Sequence, residues 1–284
     1  MDIFQEADYK TPSRTILQEE ERQSLKSSQY NLWVPPVIMK HNINGEKPLE
    51  CDLLVVSCTP CSCALVRGAL DQLEMVGTLI PVLGNKLEEN TFDESVDKSC
   101  AFYALPSTDV SQLVDGPPSL IFNFPLDIPP EQTHAIALAI FNAVKPQQVI
   151  ILGSMTSDHY YGPNDASQSC IIHLLQTRFS TSCKVLEKRG PVSELFSLLP
   201  PGNVVSGLEG AILSRCQINK IACNLLLYVE MVARLRSHAL KNIVAALVSV
   251  AGNSILVSKL AQPESTQKAK RILEAETKES FIYS

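Results

Sequence analysis

Cys58-Thr59-Pro60-Cys61 sets two thiols three positions apart, and a third thiol, Cys63, follows two residues on. An apolar run at 51–57 precedes the pair and a helical pattern follows it. A thiolate at a helix N-terminus is stabilised by the helix dipole and by unpaired N–H groups, so this is a setting for thiol–disulfide chemistry. A zinc site would need a second pair at ligand spacing, and the sequence has none. CxxC is a short motif. Two unreactive, structural thiols are the simpler reading, and the redox protein built on Cys58 and Cys61 stands as an alternative.

Other chemistry-bearing residues are scattered. Ser154 follows the run VIILG, and Asp158 and His159 lie just beyond it. Residues past the C-terminal end of a strand in an α/β sheet often face a crevice, so an enzyme using 153–159 is a second alternative. Ser154 lacks the GxSxG elbow of a hydrolase, and capping or turn formation accounts for a loop of this composition. His134 and His173 sit in apolar, helix-like surroundings and read as packing or surface residues. No GxGxxG or GxxxxGK[ST] loop occurs. Gly207 and Gly210 flank Leu208-Glu209, where a tight turn or close helix–strand packing is the expected use of glycine. Arg234, Arg236, His238 and Lys241 form a modest basic patch. These residues imply no catalytic centre, no cofactor and no metal.

The elements that must position them alternate. Runs at 51–57, 100–105, 119–124, 149–153, 182–187 and 221–228 read as strands, being short and apolar, and 77–84 is another apolar run, broken by Pro81. Helical spacing occurs over 62–76 through Leu65, Leu70 and Leu73, and over 131–144 through Ile136, Ala139, Ile140 and Val144. It recurs over 232–250, with a last helix around 266–276. Pro129 and Pro130 suit the start of the second helix, because a proline at the first turn forfeits no hydrogen bond. Residues 154–167 read as polar loop. This grammar favours an α/β sheet covered by helices.

The expected organisation is an N-terminal arm at 1–30, one α/β domain at 31–261 and a polar C-terminal tail at 262–284. Glu19, Glu20 and Glu21 mark the arm, and Trp33, Pro35 and Pro36 suit an extended edge segment. Glu88, Glu89, Asp93, Glu94 and Asp97 mark a solvated acidic insert at 85–98.

The chain has 284 residues, enough for a core without crosslinks. Apolar types make up 45% and charged types 19%, which is globular rather than disordered composition. The net charge of -6 lacks the basic surplus of a nucleic-acid binder. No apolar stretch is long enough to span a bilayer and the N-terminus has no signal-peptide pattern, so no membrane partner is expected. Nine cysteines, an odd number spread through apolar runs, suit reduced thiols in the cytosol or nucleus.

The last residues carry a different signal. Ile282, Tyr283 and Ser284 follow Phe281 at the end of a polar segment. Such a tip can place a ring in a pocket and a terminal carboxylate beside a cation.

Taken together, the α/β body from about 50 to 250, the run Gly207-Leu208-Glu209-Gly210-Ala211-Ile212-Leu213 and the terminal Ile282-Tyr283-Ser284 are similar to the proteasome assembly chaperones. Within that family the chain most resembles the first, larger subunit of the heterodimer. The resemblance implies a Rossmann-like three-layer sandwich akin to a nucleoside phosphorylase core, without that activity. It implies a heterodimer with a second assembly chaperone subunit and binding to proteasome α subunits. The pair would promote the α-subunit ring of the 20S core particle and disfavour off-pathway ring association. Ile282, Tyr283 and Ser284 would be the partner-binding residues.

Overall fold

The computed structural model describes residues 37–40, 48–80, 100–106, 117–126, 128–162, 172–180, 196–230, 236–252 and 254–282. The N-terminal arm, the acidic insert and the strand expected at 182–187 lie outside the described residues.

Among the described residues nine strands form one mixed sheet: β1 (Val37–Lys40), β2 (Leu49–Ser57), β3 (Glu74–Ile80), β4 (Ala101–Ala104), β5 (Leu120–Asn123), β6 (Val144–Thr156), β7 (Ile172–Gln176), β8 (Phe196–Leu198) and β9 (Ala222–Glu230). Their order is β1-β3-β4-β5-β2-β6-β9-β7-β8. The middle four, β5, β2, β6 and β9, are parallel. β3 and β4 extend one side in antiparallel fashion with β1 at the edge, the place expected for the segment after Pro35 and Pro36. β7 pairs antiparallel to β9.

Parallel neighbours need crossovers, and helices supply them. The helices are α1 (Pro60–Gly68), α2 (Pro130–Ala143), α3 (Gly207–Ile218), α4 (Arg236–Ala251), α5 (Ile255–Leu260) and α6 (Pro263–Ile282). Alternate strand residues face opposite layers. Leu53, Val55, Ile150, Leu152, Leu226 and Tyr228 meet α1, α4, α5 and α6. Leu54, Val56, Val149, Ile151, Leu225 and Leu227 meet α2 and α3. Both faces of the sheet are thus buried, which is why its central strands read as unbroken apolar runs rather than alternating ones. The result is the expected α/β sandwich with helices on both faces.

Several boundaries differ from the sequence reading. The helix expected over 62–76 starts earlier and stops sooner. Thr59 caps it, with Ser62 completing a capping box and Pro60 in its first turn. Leu70–Gln72 then forms a 3-10 turn, and Glu74 already belongs to β3. Val144, assigned to the second helix by spacing, opens β6. β6 also absorbs Ser154, Met155 and Thr156 from the expected loop. Pro146 is tolerated in this central strand because pairing with β9 begins only at Gln148, so at Pro146 only β2 lies alongside. The helix expected around 266–276 is present and longer, Pro263–Ile282, and it carries a buried stripe. Among the described residues no helix is long and apolar enough to cross a membrane.

Candidate functional site

The crevice of interest lies where β2 and β5 end and α1 begins. From β2 the chain builds β3, β4 and β5 on one side, then β6 and β9 on the other. Such a switch point leaves a gap beyond the strand ends. Here the gap is a cavity of about 430 Å³ lined by Cys58, Thr59, Pro60, Arg67, Leu126 and Glu276, among others. Pro125 and Leu126, just after β5, form its apolar wall.

Cys58 links β2 to the cap of α1 and is half-buried, with Cys61 and Cys63 fully inside the layer. Its Sγ points at the Leu152 carbonyl oxygen, 3.8 Å away. Cys63 Sγ lies 3.7 Å from the Ser57 carbonyl oxygen and 3.5 Å from the Ser57 hydroxyl. Burial pushes the Cys58 thiol well above its ordinary range, and the Glu209 carboxyl and Cys63 push it further. Cys63 is raised to about 11, again chiefly by burial. The strand–Cys–helix setting expected for redox chemistry is therefore present, but desolvation and a neighbouring carboxyl outweigh the helix N-terminus and keep both groups as thiols. Among the described residues no group of three His, Cys, Asp or Glu side chains is placed to hold a metal ion.

Glu209 sits in the first turn of α3, between the two glycines singled out in the sequence. Gly207 has a φ of +71°, a left-handed conformation that favours glycine. At Gly210 a Cβ would come within 2.5 Å of the Val205 carbonyl oxygen. Both glycines therefore serve the turn and close packing expected of them. They bring the Glu209 side chain against Gly153, where a Cβ would meet Glu209 Cγ at 3.1 Å. Burial raises the Glu209 carboxyl, partly offset by its own backbone amide, the Cys58 thiol and the Ser154 amide.

Ser154, Asp158 and His159 do not assemble into a triad. Ser154 is a strand residue whose amide serves Glu209. Asp158 and His159 lie on a 3-10 turn, and His159 Nδ1 pairs with the exposed Thr156 hydroxyl at 3.1 Å. His134 is exposed on α2. His173 is a buried residue of β7 rather than a helical one. Its Nδ1 lies 2.8 Å from the Ser197 hydroxyl, and its ring packs on Tyr160 with centroids 5.1 Å apart. Burial holds this imidazole below its ordinary pKa and hence neutral. In the basic patch Lys241 is exposed on α4, Arg234 lies outside the described residues, and so do the side chains of Arg236 and His238.

The sequence reading missed Arg67 and Glu276. They form an ion pair at the cavity wall although 209 positions separate them, and nothing local announces the meeting. Arg67 is 13% exposed and Glu276 39%. Of the C-terminal trio, Ile282 closes α6, while Tyr283 and Ser284 lie outside the described residues.

No protein-family model and no curated protein matches the chain. Solved structures share its fold. Pyrococcus furiosus PbaB, described as an archaeal proteasome activator, superposes with a TM-score of 0.56 and 11% identity, covering 88% of this chain and 99% of that one. A Thermoplasma acidophilum protein of unknown function gives a TM-score of 0.51 and 13% identity over 82% of this chain and 90% of that one. Pyrococcus furiosus PbaA, described as an archaeal homolog of proteasome-assembly chaperone, gives 0.49 and 18% over 85% and 95%. At these identities the likeness is one of fold, and it singles out no particular subunit.

Proposed function

We propose that this chain is a non-enzymatic proteasome assembly chaperone, acting as the larger subunit of a heterodimer with a second chaperone of similar fold. The pair binds proteasome α subunits, promotes their ring and disfavours off-pathway ring association, in the cytoplasm and nucleus. A core akin to that of a nucleoside phosphorylase, without its activity, belongs to this reading. The observation that carries the proposal is the fold shared over 88% of the chain with a proteasome activator. The proposed docking residues Ile282, Tyr283 and Ser284 supply an apolar side chain, an aromatic ring and a hydroxyl.

The chemistry of the crevice agrees with a binding protein. Arg67 and Glu276 neutralise each other, the thiols are held protonated, and Glu209 is engaged by backbone and thiol. Docking of the tip follows from side-chain chemistry. Ile282 contributes apolar area at roughly 25 cal/mol per Å² removed from water. Tyr283 adds a rigid ring whose hydroxyl needs a partner when buried.

Affinity purification of the full chain from cells, with mass-spectrometric identification of what accompanies it, tests this reading. The expected companions are one chaperone of similar size together with proteasome α subunits. Recovery of neither contradicts it.

A further inference from the structure

The polar sequence after Gln262 suggests a tether, but the structure makes most of it part of the body. Ser265, Ala269 and Leu273 are buried at spacings of four, forming one inward stripe on α6. That stripe lies on α1 at close range. A Cβ placed on Gly68 would stand 2.9 Å from the Ala269 amide nitrogen and 3.3 Å from the Ala269 Cβ. Two ion pairs fasten the same contact, Lys268 to Asp71 and Glu276 to Arg67. Glu276 is the last of these anchors. The helix then continues through Ile282, and at about 1.5 Å per residue the remaining turns reach roughly 9 Å.

We infer that α6 is a rigid arm that sets the distance and direction at which the chain leaves the body at Ile282, with Arg67, Gly68 and Glu276 as its positioning residues. The functional use of the arm rests on the docking role proposed above; its rigidity does not. A tip on a flexible linker samples a wide volume and loses that freedom on docking, whereas a tip on a fixed helix has already lost it. The small residues at Gly68 and Ala269 allow the helices to approach closely. The Arg67–Glu276 pair holds α6 six residues before its last residue, Ile282.

Two measurements on the full-length chain in complex with its partner subunit test this. The first is hydrogen–deuterium exchange without any α subunit. A rigid arm protects the amides from Thr266 through Ile282; exchange at the unprotected rate beyond Glu276 overturns the inference whatever the docking role. The second compares two replacements of equal length just after Glu276, with the fold of each variant checked by circular dichroism. One carries Thr277→Gly, Lys278→Gly, Glu279→Gly and Ser280→Gly, and the other has alanine at the same four positions. Glycine frees the helix and alanine keeps it. Binding to recombinant 20S α rings should fall about tenfold or more in the glycine variant and stay at the wild-type level in the alanine variant. Equal binding by all three proteins, where removal of residues 282–284 does weaken binding, overturns the arm. Removal of residues 282–284 is the third arm of the titration: unchanged binding there, with Thr266–Ile282 still protected, rejects the docking role while the rigid helix stands.

Discussion

Gly68 of α1 and Ala269 of α6 approach so closely that a Cβ on Gly68 would lie 2.9 Å from the Ala269 amide nitrogen, closer than real Cβ contacts come. The obstacle is backbone, including the Ser265 carbonyl, so a rotamer change cannot relieve it. Gly68→Ala should therefore push α6 off α1 and cost about 1–3 kcal/mol, the range for overpacking a filled interior. Urea unfolding measures it. An unchanged midpoint and slope would show that the two helices separate freely.

Cys58 should behave as an ordinary, slow thiol despite its place before a helix. Burial, Glu209 and Cys63 all raise its pKa, so the thiolate is scarce near neutral pH and gains only as pH climbs well past 9. Alkylation of the native protein followed by mass spectrometry over pH 6–10 is the check. Rapid modification of Cys58 below pH 7, or loss of partner binding in a folded Cys58→Ser, Cys61→Ser double variant, would restore the redox alternative.

Glu209 sets a pH dependence of stability whose sign follows from its burial. Its folded pKa lies above the ordinary 4.5, so between those two values the folded state holds more protons than the unfolded state. The stability this contributes is fully present below 4.5 and is lost as pH rises through the folded value. Glu209→Gln should flatten the decline across that window and leave stability at neutral pH equal to or above wild type. Denaturant melts from pH 4 to 8 give the comparison. A steeper fall in the variant contradicts the assignment.

The central sheet was legible because β2, β6 and β9 are buried on both faces and spell apolar runs such as Val149-Ile150-Ile151-Leu152. Gly207 and Gly210 were legible as backbone positions because their neighbours suggest no phosphate loop. The end of α1 was not. Leu70 and Leu73 keep helical spacing, yet they pack as the chain turns into β3, and periodicity cannot distinguish a 3-10 turn followed by a strand from a longer helix. His173 was misplaced because an apolar run holding one histidine is ambiguous until its sheet partners are known. The Arg67–Glu276 pair and the cavity it borders depend on a contact between chain segments 209 positions apart, which no local pattern encodes. The docking role proposed for Ile282, Tyr283 and Ser284 comes from side-chain chemistry together with the family resemblance, and the helix that ends at Ile282 was read as too short.

A stable pair with a second chaperone subunit should bury at least about 1,200 Å² in total, the lower bound for a specific, lasting interface. Co-expressed subunits should then elute as a single species near the summed mass in light-scattering chromatography. A monodisperse monomer that ignores the second subunit at micromolar concentration contradicts the heterodimer.

The most direct measurement of the central claim is a binding titration of the heterodimer against isolated proteasome α rings with three forms of this chain: wild type, a truncation lacking residues 282–284, and Tyr283→Ala. The truncation removes the apolar side chain and the ring together, and the substitution removes the ring. Both variants should bind about tenfold or more weakly with the heterodimer intact, since losing the ring contact costs on the order of 1.4 kcal/mol or more. Equal affinity for all three forms would mean that residues 282–284 take no part in docking.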